Sequence, residues 1–516
     1  MASLPLVFLI GALTTIKPEL SIAAIAMCLL TILLVTRSRP LHSTLPTGGL
    51  NVDWVVVLLP TALAIRTVSG KGSLLLLGLL VVTAFARKPD GRFRLQAGPL
   101  VLLLASSAIV FSRPAYFATV LTFLIVAVLV VRLVTTVDAR KIIASLVDGC
   151  GLYLLVNVLG HAAGLQSPAS NVRIGGLVES SGFVRTIYPF TFSINTPPII
   201  AAVYVACCIF LMLEAGWIRR FMRLVCLASA IIILVGAGTR APIAVAVGLA
   251  VIVICFPFTT RWLGQLTVAL SAASAFILPA VITSIQFIIA PLMSLTPGRQ
   301  NQAGSISSIN GRDRIWSQAI NYWVERVNDL PQMMFGFGVN GQYRSGASLS
   351  YSEGLSTIVR NPEFAYTHNS FLQQLFDGGV VGWILLVAAV FWASRRLAQR
   401  VRGWGFHGLI AVLALAVLVL SGMTEVSLAP GVSQDTFWLL LVLVGVSCQT
   451  GRVSGDGHGT GGRSGGYWDR RRRDGEDTQT ESPEPTNIDE LSVGRGSRRS
   501  TASARSVSSW GGASRI

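Results

Sequence analysis

Charge is scarce in this chain. Charged residues make up 13% of its 516 positions, against 52% hydrophobic. A soluble protein of this length needs more charge to cover its surface, so that class is excluded. Strand-like alternation is weak throughout, which argues against a membrane β-barrel. No Cys-x-x-Cys pair occurs among the seven cysteines (28, 150, 207, 208, 226, 255 and 448). They lie in or beside apolar segments and read as small hydrophobes rather than as disulfide or metal sites. The apolar region has no Asp-x-Asp grip for a metal-bound diphosphate, no P-loop and no His-Glu-x-x-His. The opening "MASLPLVFLIGALTTI" lacks a basic stretch, so no cleavable signal peptide is expected. Acids are the rarer charge, 24 against 41 Lys and Arg, giving a net charge of +17. In a soluble protein that excess would point to nucleic acid. Here the arginines gather between apolar runs, as in a membrane protein's topogenic loops, so no nucleic-acid partner is expected.

What the chain has in abundance is apolar runs of spanning length. They fall at roughly 4–16, 19–36, 52–68, 72–86, 98–112, 116–136, 142–165, 193–213, 221–237, 240–256, 264–290, 370–393, 406–423 and 432–448. The expectation is an all-α polytopic membrane protein of about 13–14 transmembrane helices over residues 1–448. One set of loops is basic: "TRSRP" (36–40), "RKPDGRFR" (87–94), "DARK" (138–141), "RRFMR" (219–223), "TRW" (260–262) and "SRRLAQRVR" (394–402). The positive-inside rule assigns these to the cytoplasmic side. The alternate set is external, and includes the turn "GAGTRAP" (236–242), a long loop at 292–369 and "TEVSLAPGVSQD" (424–435). Residues 449–516, rich in Gly, Ser and Arg, read as a disordered cytoplasmic tail. Its "RRRR" (470–473) is either a solvated run or a contact with anionic lipid.

The long loop has structure of its own. "RDRIWSQAINYWVERV" (312–327) puts Ile315, Trp316, Ala319, Ile320, Trp323 and Val327 on one helical face. That face fits a helix in the membrane interface or one packed on the roof of the bundle.

Topology then gathers residues that sequence separates. Arg240 in the turn, Arg312 at the start of the loop helix and His368 before the next span all fall at the external membrane level. Arg173, Arg185, Arg314, Arg344 and Arg360 are expected there too. External arginines run against the positive-inside bias. Their planar forks suit phosphate oxygens, while headgroups or loop carboxylates are the plainer partners. Arg240 has almost no loop around it, where an unpaired charge is costly. His368 is either a helix-start residue or a base able to take a proton from a sugar hydroxyl. Asn369 is placed to cap the helix or orient the ring. Gly378, Gly379 and Gly382 allow close helix approach.

Three segments then resemble the O-antigen ligase / O-antigen polymerase family of bacterial envelope glycosyltransferases. "GAGTRAP" (236–242) is similar to that family's Arg turn between two spans. "NGRDRIWSQAI" (310–320) with "MMFGFGVNGQY" (334–343) resembles its Gly-Arg…Trp segment and Gly-rich follow-on. "THNSFLQQLFDGGVVGWILL" (367–386) resembles its His-Asn signature entering a span. Ala241 and Asp377 depart from the Gly and Glu often found there. The resemblance implies a bundle of the GT-C type, with a family-like core over about residues 190–448 and the external loop 292–369 above the active site. It implies a multi-pass protein of the cytoplasmic (inner) membrane. Its donor would be a glycan on a polyprenyl diphosphate, and its acceptor a second lipid-linked unit, an envelope glycan or a glycolipid. Arg240 and Arg312 would hold the diphosphate and His368 would be the general base, with Asn369, Arg314 and Trp316 in support, without cofactor or metal. The other reading is a transporter or lipid-glycan flippase. It would need ionisable groups deep in the bilayer, for which Asp148, with Asn157 nearby, is the best candidate unless it lies at the cytoplasmic end of its span.

Overall fold

The computed structural model describes residues 52–90, 93–113, 117–167, 186–191, 193–237, 240–255, 259–260, 262–274, 276–277, 312–355, 360–430 and 436–452. Within them the chain is an all-α membrane protein. Helices α1 (Trp54–Ala64) and α2 (Gly70–Ala86) are followed by strand β1 (Phe93–Leu95), then α3 (Gly98–Phe111), α4 (Phe117–Thr136) and α5 (Ala139–Ala162). After these come α6 (Thr196–Glu214), α7 (Trp217–Gly236) and α8 (Arg240–Cys255). The loop region supplies α9 (Arg312–Arg326) and α10 (Leu330–Phe335). Then follow α11 (Ser370–Trp404), α12 (Phe406–Ser421), α13 (Phe437–Ser447) and strand β2 (Gln449–Arg452). Among the described residues, four helical stretches are long and apolar enough to cross a membrane: Phe117–Thr136, Ala139–Ala162, Thr196–Leu213 and Ser370–Val401. Shorter apolar helices accompany them. The expected spans at 4–16 and 19–36 lie outside the described residues.

α12 and α13 are apolar on every side and buried almost throughout, as befits helices at the centre of a bundle. Outer helices keep one apolar face uncovered: Leu124, Val128 and Val131 on α4, and Ile231, Ile232 and Val235 on α7, are exposed. A bilayer would cover such faces.

Among the described residues, the basic loops near 87–94, 138–141 and 394–402 meet at one end of the bundle. Asp53 caps α1, accepting from the Val55 N–H at 3.1 Å, and pairs with Arg87 from the end of α2. Lys141 pairs with Asp90 at 3.1 Å. Arg396 and Arg400 lie over the rings of Trp392 and Trp404, at 4.8 and 5.6 Å from the centroids. β1 and β2 pair antiparallel here, with Phe93 opposite Arg452 and Arg94 opposite Gly451. Residues 449–452, which the sequence reading places in the tail, thus form a strand. The Gln449 amide also donates to the Val134 and Val137 carbonyls at 2.6 and 2.7 Å, closing the C-terminal turn of α4.

Asp148 is engaged near this end. Its carboxylate accepts two bonds from the Arg223 guanidinium, at 2.8 and 3.0 Å, and Arg223 also donates to the Leu211 carbonyl at 2.6 Å. This bidentate pair ties α5, α6 and α7 together. The acid on which a transport reading would rest is thus paired with an arginine.

α11 is not continuous. Gly379 has φ 66° and ψ −169°, a break inside the helix. The loop after α10 fills the gap: Phe337 N–H donates to the Phe376 carbonyl and Gly338 N–H to the Asp377 carbonyl, each at 2.9 Å. The Asp377 side chain accepts from Gly341 N–H at 2.7 Å and from Gln373 at 2.8 Å. Backbone groups freed within a span are thus satisfied by protein. A Cβ at Gly379 would sit 2.4 Å from the Met334 carbonyl group. The glycines of "DGG" and "FGFGVNG" are therefore more than small packing residues, because the loop and the broken helix interlock.

Candidate functional site

At the end opposite the basic loops, α11 begins with Asn369 as its cap. Its Oδ1 accepts from the Phe371 and Leu372 N–H groups, each at 3.0 Å, and its amide donates to Ser274 and to the Met423 carbonyl, each at 3.0 Å. Asn369 is fully buried, so its role is to cap the helix and anchor it between two neighbouring segments.

His368 precedes this cap in the left-handed region, at φ 50°. His visits that region more readily than most residues, but the conformation must still be held. Several contacts hold it. Trp316 Nε1 donates to the Thr367 carbonyl at 2.8 Å, and the Thr367 hydroxyl donates to the Asn369 carbonyl at 3.1 Å. Trp316 is completely buried among Ile315, Ala319, Leu372 and Phe376. Trp323 packs edge-on to Phe376, with centroids 5.2 Å apart. α9 is therefore packed on the bundle, and its tryptophan face is core.

His368 itself is about one-third exposed, its side chain at 31%. Its Nδ1 lies 3.3 Å from Oε2 of Glu425. Arg312 at the start of α9 forms an ion pair with Oε1 of the same carboxylate. The Asn195 amide donates to Oε2 at 2.8 Å. One buried carboxylate thus joins the arginine and the histidine. Burial alone would push the Glu425 carboxyl up. Arg312, then His368 and Asn195, outweigh it and hold the group below the usual carboxylate range. Glu425 is therefore ionised at neutral pH and accepts only. The bond to a neutral His368 ring then requires Nδ1 to carry the proton, leaving the Nε2 lone pair as a base.

Glu425 is itself held in place. The Ser370 hydroxyl donates to the Glu425 carbonyl at 2.8 Å and accepts from Ser427 and Leu428 N–H at 2.8 and 3.1 Å. The residues on either side of Asn369 thus do two jobs: His368 carries the imidazole, and Ser370 fixes the loop that carries its partner.

Of the residues singled out from sequence, the structure brings together His368, Asn369, Arg312 and Trp316. Arg314 is exposed; two positions from Arg312, it lies on a different helical face. Arg344 and Arg360 are also exposed. Arg240 opens α8, and its side chain lies outside the described residues, as do Arg173 and Arg185. Glu425, Asn195 and Ser370 were missed. The one sequence signal for Glu425 was a carboxylate two residues beyond a span, in a loop assigned to the same membrane level as His368.

A membrane-embedded helical bundle with this paired histidine defines a multi-pass membrane protein with a polar site at one end. Residues 224–387 match the family model described as O-antigen ligase. The chain thus carries an O-antigen ligase-family segment, which holds Arg240, Arg312, Trp316 and His368. Glu425 and Asn195 lie outside it. A comparison with curated proteins finds none that matches the chain.

Proposed function

We propose that this protein transfers a glycan from a polyprenyl diphosphate carrier to an acceptor hydroxyl at the external face of the cytoplasmic membrane. The observation that carries the reading is the Glu425–His368 contact inside a chain with an O-antigen ligase segment. His368 Nε2 takes the proton of the acceptor hydroxyl as its oxygen attacks the anomeric carbon. The new C–O bond forms as the bond to the diphosphate breaks, and the electron pair leaves with the diphosphate. A single displacement of this kind inverts the anomeric centre. Glu425 holds the imidazole tautomer and stabilises the imidazolium that forms, the part played by the acid in other acid–histidine pairs. The guanidiniums of Arg240 and Arg312 neutralise the departing diphosphate. Arg312 offers five N–H donors, of which the Glu425 pair uses one. The external assignment rests on the positive-inside rule: the basic loops cluster at the end opposite His368.

The test is a transfer assay in liposomes, with the polyprenyl-diphosphate glycan of the host's own envelope pathway and candidate acceptors. Wild type is expected to release polyprenyl diphosphate and extend an acceptor. His368→Asn is not, although Asn tolerates the left-handed backbone at this position. Equal transfer by both proteins rejects His368 as the base. The acceptor that is extended separates polymerisation from ligation.

A further inference from the structure

Beside His368 lies a small cavity whose lining includes Ser193, Asn195, Thr196, Tyr366 and Glu425. Its chemistry differs from that of the arginine side of the site. The lining is hydroxyls, an amide, the imidazole and the carboxylate, with Ile199 and Val426 as apolar walls, and among the described residues includes no Lys or Arg. The N-terminus of α6 contributes to it, and such termini commonly bind anions. This one is disarmed. Thr196 N–H is already bonded to the Ser193 carbonyl and Ile199 N–H to the Asn195 carbonyl, each at 3.3 Å. Pro197 and Pro198 between them have no N–H to give. The cavity thus presents a carboxylate and no free helix-end donors, which disfavours a diphosphate.

Asn195 carries the second observation. It is 7% exposed, and its Oδ1 has no hydrogen-bond partner among the described residues. Its Nδ2 is committed to Glu425, so the amide orientation is fixed and Oδ1 remains an acceptor. A buried acceptor without a donor is costly unless a ligand supplies one. The missing partner is an O–H or N–H group that enters next to the imidazole.

We propose that this cavity is the acceptor subsite: it receives a hydroxyl-bearing edge of a neutral sugar, with Asn195 Oδ1 accepting from one hydroxyl while His368 faces its neighbour. The assignment deepens the transfer reading and rests on it for the word acceptor. It divides the site in two, a guanidinium side for the diphosphate and a side of hydroxyls, an amide and the Glu425 carboxylate for the incoming sugar. Asn195 binds on one face and fixes Glu425 with the other.

The test does not require turnover. Full-length Ser193→Cys in liposomes is reacted with a small water-soluble maleimide, with wild type as the blank for native cysteines. Two probes compete: the glycan freed by mild acid from the host's polyprenyl-linked donor, and inorganic pyrophosphate. The glycan is expected to slow labelling several-fold and pyrophosphate to leave it unchanged. Adding Asn195→Ser, which removes the amide at a position whose side chain makes no capping bond to α6, should abolish the protection while the unfolding midpoint shows the protein folded. Protection by pyrophosphate, absence of protection by the glycan, or protection that survives Asn195→Ser overturns the assignment. Because labelling is read without transfer, a failed transfer assay beside clean glycan protection would count against the reaction and not against the subsite.

Discussion

The two ends of the bundle use charge in opposite ways. At the basic end the cations that pair do so with local and mostly private partners: Arg87 with Asp53, Lys141 with Asp90, Arg223 with Asp148, and Arg396 and Arg400 over tryptophan rings. The ion pairs tie neighbouring helices and their loops, and the ring contacts lie within α11. At the other end, one carboxylate serves Arg312, His368 and Asn195 together. Private pairs staple a structure, and losing one is a local matter. A shared carboxylate couples its partners, so that moving any one of them changes the others. The histidine it orients is held in an uncommon backbone conformation by buried neighbours, as expected where geometry serves chemistry.

The contrast can be broken by substitution. The largest expected effect is on rate at the shared end: His368→Asn should lower transfer by about 10²–10⁴-fold, the range for loss of a general base, with little change in the unfolding midpoint. A midpoint collapse with activity retained in the folded fraction would reverse the roles of the two ends. Next is Asp148→Ala at the basic end. Removing the partly exposed carboxylate leaves the buried Arg223 guanidinium with the Leu211 carbonyl and should cost less than the roughly 3–5 kcal/mol of a fully buried pair, read in unfolding measurements in detergent. Protein that remains folded should still transfer glycan. Selective loss of a solute flux instead would revive the transporter reading.

Gly379→Ala probes the break in α11 and should destabilise by about 1–3 kcal/mol from the backbone conformation alone, with the contact to Met334 adding to it. An unchanged midpoint would mean that the helix runs straight and the loop does not lock it. The pH dependence is subtler. Glu425 is held below the usual carboxylate range, so its stabilising contribution is full above the ordinary glutamate pKa and fades as pH falls through its lowered folded value. Wild type should therefore lose more stability than Glu425→Gln as the pH is taken down through and below the ordinary carboxylate range. Parallel loss in both proteins would separate Glu425 from Arg312. The smallest effect belongs to Lys141→Ala, a partly exposed pair worth roughly 0–1 kcal/mol, with transfer unchanged.

Much of this was legible in the sequence, for physical reasons. Apolar run length revealed the helices, and basic loops at alternate connections separated the ends. "THNS" announced a capped helix start beside a histidine, because Asn has few better places than an N-cap. What stayed hidden depended on tertiary contact. Glu425 lies 57 residues from its histidine partner, in a loop with no motif of its own. The tryptophan face of α9 had two readings, decided only by the Thr367 carbonyl that receives Trp316. "DGG" read as close packing, while its larger role needed the "FGFGVNG" loop as the other half of the interlock.

The central claim is that Glu425 and His368 act as one unit, and a double-mutant cycle on the transfer rate tests it most directly. Wild type, Glu425→Gln, His368→Asn and the double variant would be compared in liposomes with the same donor and acceptor. The account predicts that adding Glu425→Gln to His368→Asn costs little further, since the carboxylate has no imidazole left to orient. Losses that multiply in the double variant would show two independent contributions and contradict the pair.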